Sequence, residues 1–66
     1  MEILLNGQPR EIPEGASIAQ LLEQLNLATP FVAVEVNLQV VPRPRHAEHR
    51  LAPGDRVEVV TFVGGG

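Results

Sequence analysis

One amphipathic stripe constrains what this chain can become. Ile18, Leu21, Leu22 and Leu25 recur at i, i+3, i+4 and i+7, the spacing that lines one face of a helix. Ser17 precedes the stripe and Gln20 follows three residues on, the pairing of a capping box. Gln20, Glu23 and Gln24 fall on the opposite, wet face. Pro30 rules out helix beyond Thr29, because the residue before a proline is pushed out of the helical region. The remaining runs read as strand, so a single helix must be covered by a sheet.

The strands follow from local chemistry. Glu2 to Leu5 and Gln8 to Ile12 flank Asn6-Gly7, a strong hairpin signal because both centres of a type I′ turn need positive φ. Pro13-Glu14-Gly15 breaks the second run. Phe31 to Val36 is β-branched and reads as a strand, Asn37 begins a turn, and Gln39 to Val41 reads as a short return. Pro42-Arg43-Pro44 forbids ladder pairing. His46 to Leu51 is irregular or a short helical turn. Ala52-Pro53-Gly54-Asp55 is a turn, and Arg56 to Val63 is the last strand. The order β-β-α-β-β-β implies an α+β domain, a mixed sheet of four to five strands with one helix on one face.

Period 2 in the last strand puts Val57, Val59 and Thr61 on one face and Glu58, Val60 and Phe62 on the other. Glu58 must point out, so Val57 and Val59 are assigned to the core. In the first strand Ile3 and Leu5 are core and Leu4 lies outside. Leu4, Val60 and Phe62 then form an exposed apolar patch of the kind that marks interfaces, unless a loop covers them.

Sixty-six residues make one domain near the lower limit for independent folding. Such a chain commonly leans on disulfides or a metal, but this one has no cysteine and must rely on the 44% of its residues that are apolar. Lysine, tyrosine and tryptophan are also absent, and the only side-chain hydroxyls are Ser17, Thr29 and Thr61. Covalent catalysis needs a nucleophile activated by a base, and this inventory nearly excludes it. The chain therefore reads as a carrier or a binding module, not an enzyme. A formal net charge of −3 argues against nucleic acid as the partner. No apolar run approaches the roughly 20 residues of a membrane span.

Val63-Gly64-Gly65-Gly66 follows the last strand with no polar spacer. Glycines have no side chain to pack and are costly to order, so residues 1–62 are expected to form the domain and 63–66 a flexible tail. Three extended residues reach roughly 10 Å. That is enough to carry a terminal carboxylate into another protein's active site while the body stays outside. A frayed end is the plainer alternative.

Several segments taken together resemble a known family. They are Val32-Ala33-Val34-Glu35-Val36-Asn37, Val40-Val41-Pro42-Arg43, Leu51 through Val60, and Phe62-Val63-Gly64-Gly65-Gly66. The whole chain is similar to the sulfur carrier proteins of thiamine biosynthesis, the ThiS family. The resemblance implies a ubiquitin-like β-grasp fold. It implies that the carboxylate of Gly66 is adenylated by a ThiF-type adenylyltransferase using ATP and then converted to a thiocarboxylate. On the same resemblance Gly64 and Gly65 enter the partner's channel, and sulfur from a donor such as a cysteine desulfurase is delivered to thiazole synthase. Leu4, Val60 and Phe62 would dock the partners. No cofactor or metal is expected on the chain itself, and a cytoplasmic location fits.

The small subunit of molybdopterin synthase and carriers for tRNA thiolation share this tail chemistry and stay open as alternatives. A non-catalytic β-grasp regulatory module is the alternative of another class, and such modules lack a free glycine end. His46 and His49 lack further metal ligands nearby and read as surface residues. Arg43, Arg45 and Arg50 read as a solvated loop or a docking surface.

Overall fold

Both hairpin turns are made by residue pairs with positive φ. In the computed structural model, which describes residues 1–62, Asn6 and Gly7 take φ of 50° and 83°. They join β1 (Glu2–Leu5) to β2 (Gln8–Glu11), with Leu5 opposite Gln8. Asn37 and Leu38, at 51° and 69°, join β3 (Val32–Val36) to β4 (Gln39–Val40). The expected tail, residues 63–66, lies outside the described residues.

Between the hairpins runs α1, Ile18–Gln24. Its capping box is complete: Ser17 Oγ accepts from the Gln20 amide at 3.1 Å, and Gln20 Oε1 accepts from the Ser17 amide at 2.9 Å. The helix stops well short of the limit that Pro30 sets. Asn26 sits at φ 57°. The Leu27 amide donates to Leu22 O at 2.8 Å and the Asn26 amide to Glu23 O at 3.1 Å. These two bonds form a Schellman stop with asparagine in the left-handed position that glycine usually fills.

The last strand, β5 (Arg56–Thr61), lies in the middle of a five-stranded mixed sheet of order β2-β1-β5-β3-β4. It runs parallel to β1, with Leu5 beside Val57, and antiparallel to β3, with Val34 opposite Val59. The strands are slightly shorter than the sequence runs: Phe31, Val41 and Phe62 fall just outside β3, β4 and β5. Val41 is buried instead, and its amide donates to Val34 O at 2.9 Å.

Alternation along the strands decides the core. Ile3, Val34 and Val57 on the inner sheet face are fully buried together with Ile18 and Leu21 of the helix. Leu22, Val32, Val36 and Val59 belong to the same cluster, as do Ile12, Ala16, Val41 and Leu51 from the connections, and Leu5 and Leu25 pack half-buried against it. Burying each such side chain contributes about 1.5–3 kcal/mol before the entropy of ordering is counted. Gln20, Glu23 and Gln24 are exposed, as the stripe requires.

The segment after β4 resolves into one short 3₁₀ turn, Arg43–Arg45, followed by a hydrogen-bonded turn over residues 46–48. It caps the helix. Ile18 and Ala19 donate their amides to His49 O and His46 O, each at 3.0 Å, groups that otherwise lack partners at a helix start. The surface reading of His46 is corrected here: it is 6% exposed, and its Nε2 donates to Val41 O at 2.8 Å. Burial of that ring pins the 3₁₀ turn against β4. His49 stays partly exposed.

Candidate functional site

The outer face of the sheet follows directly from the register. Ala33 stands opposite Val60 and Glu35 opposite Glu58, with Val40 beside Glu35. Val60 is 58% exposed and Phe62 51%, so no loop covers them. Phe31, 45% exposed, joins them. Its ring meets that of Phe62 edge-to-face, centroids 6.3 Å apart at 80°, and its carbonyl accepts the Phe62 amide at 3.0 Å. Phe31, Ala33, Val60 and Phe62 thus make one apolar patch at the end of β5.

Leu4 is not brought to that patch. It pairs with Arg56, six residues from Phe62, about 20 Å at the rise of a strand. Glu58 and Glu35 stand between, and Leu4 is half-buried. Phe31 was missed as a member of the patch. Its signal is its position two residues before Ala33, which puts it on the same face. Gly64, Gly65 and Gly66 lie outside the described residues.

The edge of β5 facing β1 is closed in an unusual way. Leu4 and Asn6 donate their amides to Asp55 O and Val57 O, both at 2.9 Å. There β1 ends, but the Asn6 side chain continues its pattern. Asn6 Oδ1 accepts the Val59 amide at 2.8 Å, and Asn6 Nδ2 donates to Val59 O at 3.2 Å. A turn residue thus stands in for one more residue of strand.

The three hydroxyls are dispersed. Ser17 is committed to the helix cap, Thr29 Oγ1 accepts the Phe31 amide at 3.1 Å, and Thr61 is exposed on β5. A cleft of about 320 Å³ beside α1 is lined by Leu22, Glu23, Thr29, Arg43 and His46 among others. His46 there is already spent on Val41. Among the described residues no three His, Asp or Glu side chains gather as metal ligands. No helix among the described residues is long and apolar enough to cross a membrane.

A five-stranded mixed sheet with one helix on its inner face and a bare outer face defines a ubiquitin-like β-grasp domain. The model of the ThiS family matches residues 3–66, and the chain belongs to that family. It is 35% identical over 66 residues to the sulfur carrier protein ThiS of Escherichia coli K12, covering both chains fully. The crystal structure of a thiamine biosynthesis protein (ThiS) from Geobacter metallireducens superposes with a TM-score of 0.84 at 33% identity, again over both whole chains. The chain is also 36% identical over 66 residues to a thiazole synthase of Paramagnetospirillum magneticum, of which it spans a fifth of the length.

Proposed function

We propose that the chain carries sulfur on its C-terminal glycine for the building of the thiazole ring of thiamine. The observation that carries this reading is the apolar patch of Phe31, Val60 and Phe62, bare on the outer face and immediately before Val63-Gly64-Gly65-Gly66 in the sequence. A partner that takes the glycines into its active site meets this surface next.

The chemistry has two steps. An α-carboxyl with an ordinary pKa of about 3.3–3.7 is a carboxylate at neutral pH and a poor electrophile. A ThiF-type adenylyltransferase joins the Gly66 carboxylate to the α-phosphate of ATP and releases pyrophosphate. The outer sulfur of a persulfide on a donor such as a cysteine desulfurase then attacks the carbonyl carbon and displaces AMP, and a thiol cleaves the resulting acyl disulfide, releasing the thiocarboxylate and leaving a new disulfide behind. Thiazole synthase accepts that sulfur, as the family resemblance and the named relatives support. Gly64 and Gly65 would enter the partner's channel. Val60 and Phe62 would seat the body of the domain. The chain contributes no catalytic group and no cofactor; ATP is bound by the partner, in the cytoplasm.

The test removes Gly66, or replaces Gly65 with tryptophan, and measures ATP–pyrophosphate exchange with the adenylating partner. Both variants are expected to lose exchange and to melt with the parent, because a glycine has no side chain to pack. A shortened chain that still supports exchange overturns the proposal.

A further inference from the structure

Along β5 the main-chain groups alternate between two neighbours. Arg56 O accepts from Asn37 and the Phe62 amide donates to Phe31 O, so the even-numbered residues face β3. Asp55, Val57 and Val59 face the other way, toward β1 and the Asn6 side chain. Thr61 shares that parity. No side chain or strand among the described residues reaches it, and it is exposed. Its N–H and C=O are the first pair on this edge that the domain leaves open.

We propose that this opening is a docking point for main chain, where a short extended segment of the tail-accepting partner pairs with Thr61 and lengthens the sheet locally. The inference rests on the carrier reading above. Strand addition draws affinity from main-chain hydrogen bonds and specificity from the alternate side chains beside them. Here those side chains would lie beside Val60 and Phe62, which are already bare. Two features limit the edge to this use. The Asn6 carboxamide closes Val59, so an incoming strand cannot run further toward β1. Among the described residues only Thr61 is left open on this edge, too little to template edge-to-edge aggregation. The slot therefore gives direction: it leads a partner strand along β5 toward Val63 and the glycines.

Thr61→Pro tests the idea. Proline is tolerated in a strand where its missing N–H faces an unpaired edge, and the Phe62–Phe31 bond on the other side is untouched. The variant should fold and melt like the parent, yet bind the adenylating partner at least tenfold more weakly. Thr61→Val, which keeps the amide, should bind as the parent does. In hydrogen exchange the Thr61 amide should be open in the free chain and protected in the complex. Parental binding by a folded Thr61→Pro variant, or a Thr61 amide that exchanges as fast in the complex as in the free chain, overturns the proposal. So does a free chain that dimerises with Thr61 protected, since the slot then serves a second copy. If Thr61→Pro unfolds, the exchange measurement on the parent still decides. A parent chain that drives no ATP–pyrophosphate exchange removes the carrier reading and this proposal together; exchange equal in parent and Thr61→Pro at limiting concentration removes this one alone.

Discussion

Asn6→Gly separates the two jobs of one residue. Glycine suits a position at φ 50° at least as well as asparagine, so the turn should survive. Easier access to the left-handed region is offset by the greater freedom of glycine in the unfolded chain, and these terms nearly cancel. What remains is the loss of the two bonds to Val59, at 2.8 and 3.2 Å. Each is worth about 0.5–1.5 kcal/mol net. The two bonds together put the loss at about 1–3 kcal/mol. A 66-residue domain has a total of roughly 3–10 kcal/mol, and in this size range each 1 kcal/mol moves Tm by about 4–8 °C. Urea titration of parent and variant gives the difference. Amide exchange at Val59, by NMR, gives its location: that amide should lose protection while Val57, held by the backbone of β1, keeps it. A variant as stable as the parent, with Val59 still protected, would refute the strand-mimic account of Asn6.

Three further outcomes are expected. Leu21→Ala should cost about 2–5 kcal/mol by chemical denaturation, since Leu21 is 1% exposed under the sheet, whereas Gln24→Ala on the wet face should change stability by less than about 0.5 kcal/mol. Leu38→Gly should stabilise by about 0.5–1 kcal/mol in the same assay, because Leu38 is 80% exposed and held at φ 69°, a conformation that strains a residue with a Cβ. Phe62→Ala should weaken binding to the adenylating partner or to thiazole synthase at least tenfold, about 1.4 kcal/mol by titration calorimetry. The variant's melt should register only loss of the edge-to-face pair with Phe31, about 0.5–1.5 kcal/mol; a sharp fall in Tm with binding intact would invert the assignment of faces in β5.

Features encoded within a few residues were legible in the sequence. Asn6-Gly7 demanded its turn, Ser17 and Gln20 their cap, and the alternation around Glu58 sorted Val57 and Val59 from Val60 and Phe62. The helix stop was present but weaker, because Asn26 does by side-chain tolerance what glycine signals openly. The turn at Asn37-Leu38 could be placed but not typed, since leucine gives no hint of positive φ. His46 was misjudged because its partner, the Val41 carbonyl, is main chain and leaves no mark in the pattern of residue types. The bond from Asn6 to Val59 spans 53 positions, and nothing local announces it. Leu4 was grouped with Phe62 for a related reason: period 2 assigns a face but does not say where along that face two strands meet.

The central place of β5 has a consequence for the order of events in folding. The strand that comes last in the domain separates β1, which comes first, from β3. Until it arrives, the two hairpins share no edge, and isolated hairpins are marginal in water. The long closure must be made before its contacts repay it, which slows folding and makes it all-or-none. The aromatic pair of Phe31 and Phe62 forms only when that closure is complete, because it bridges the strands being joined. If a partner docks on those two rings as proposed, it would also be inspecting the product: an unfinished domain would lack the surface it needs.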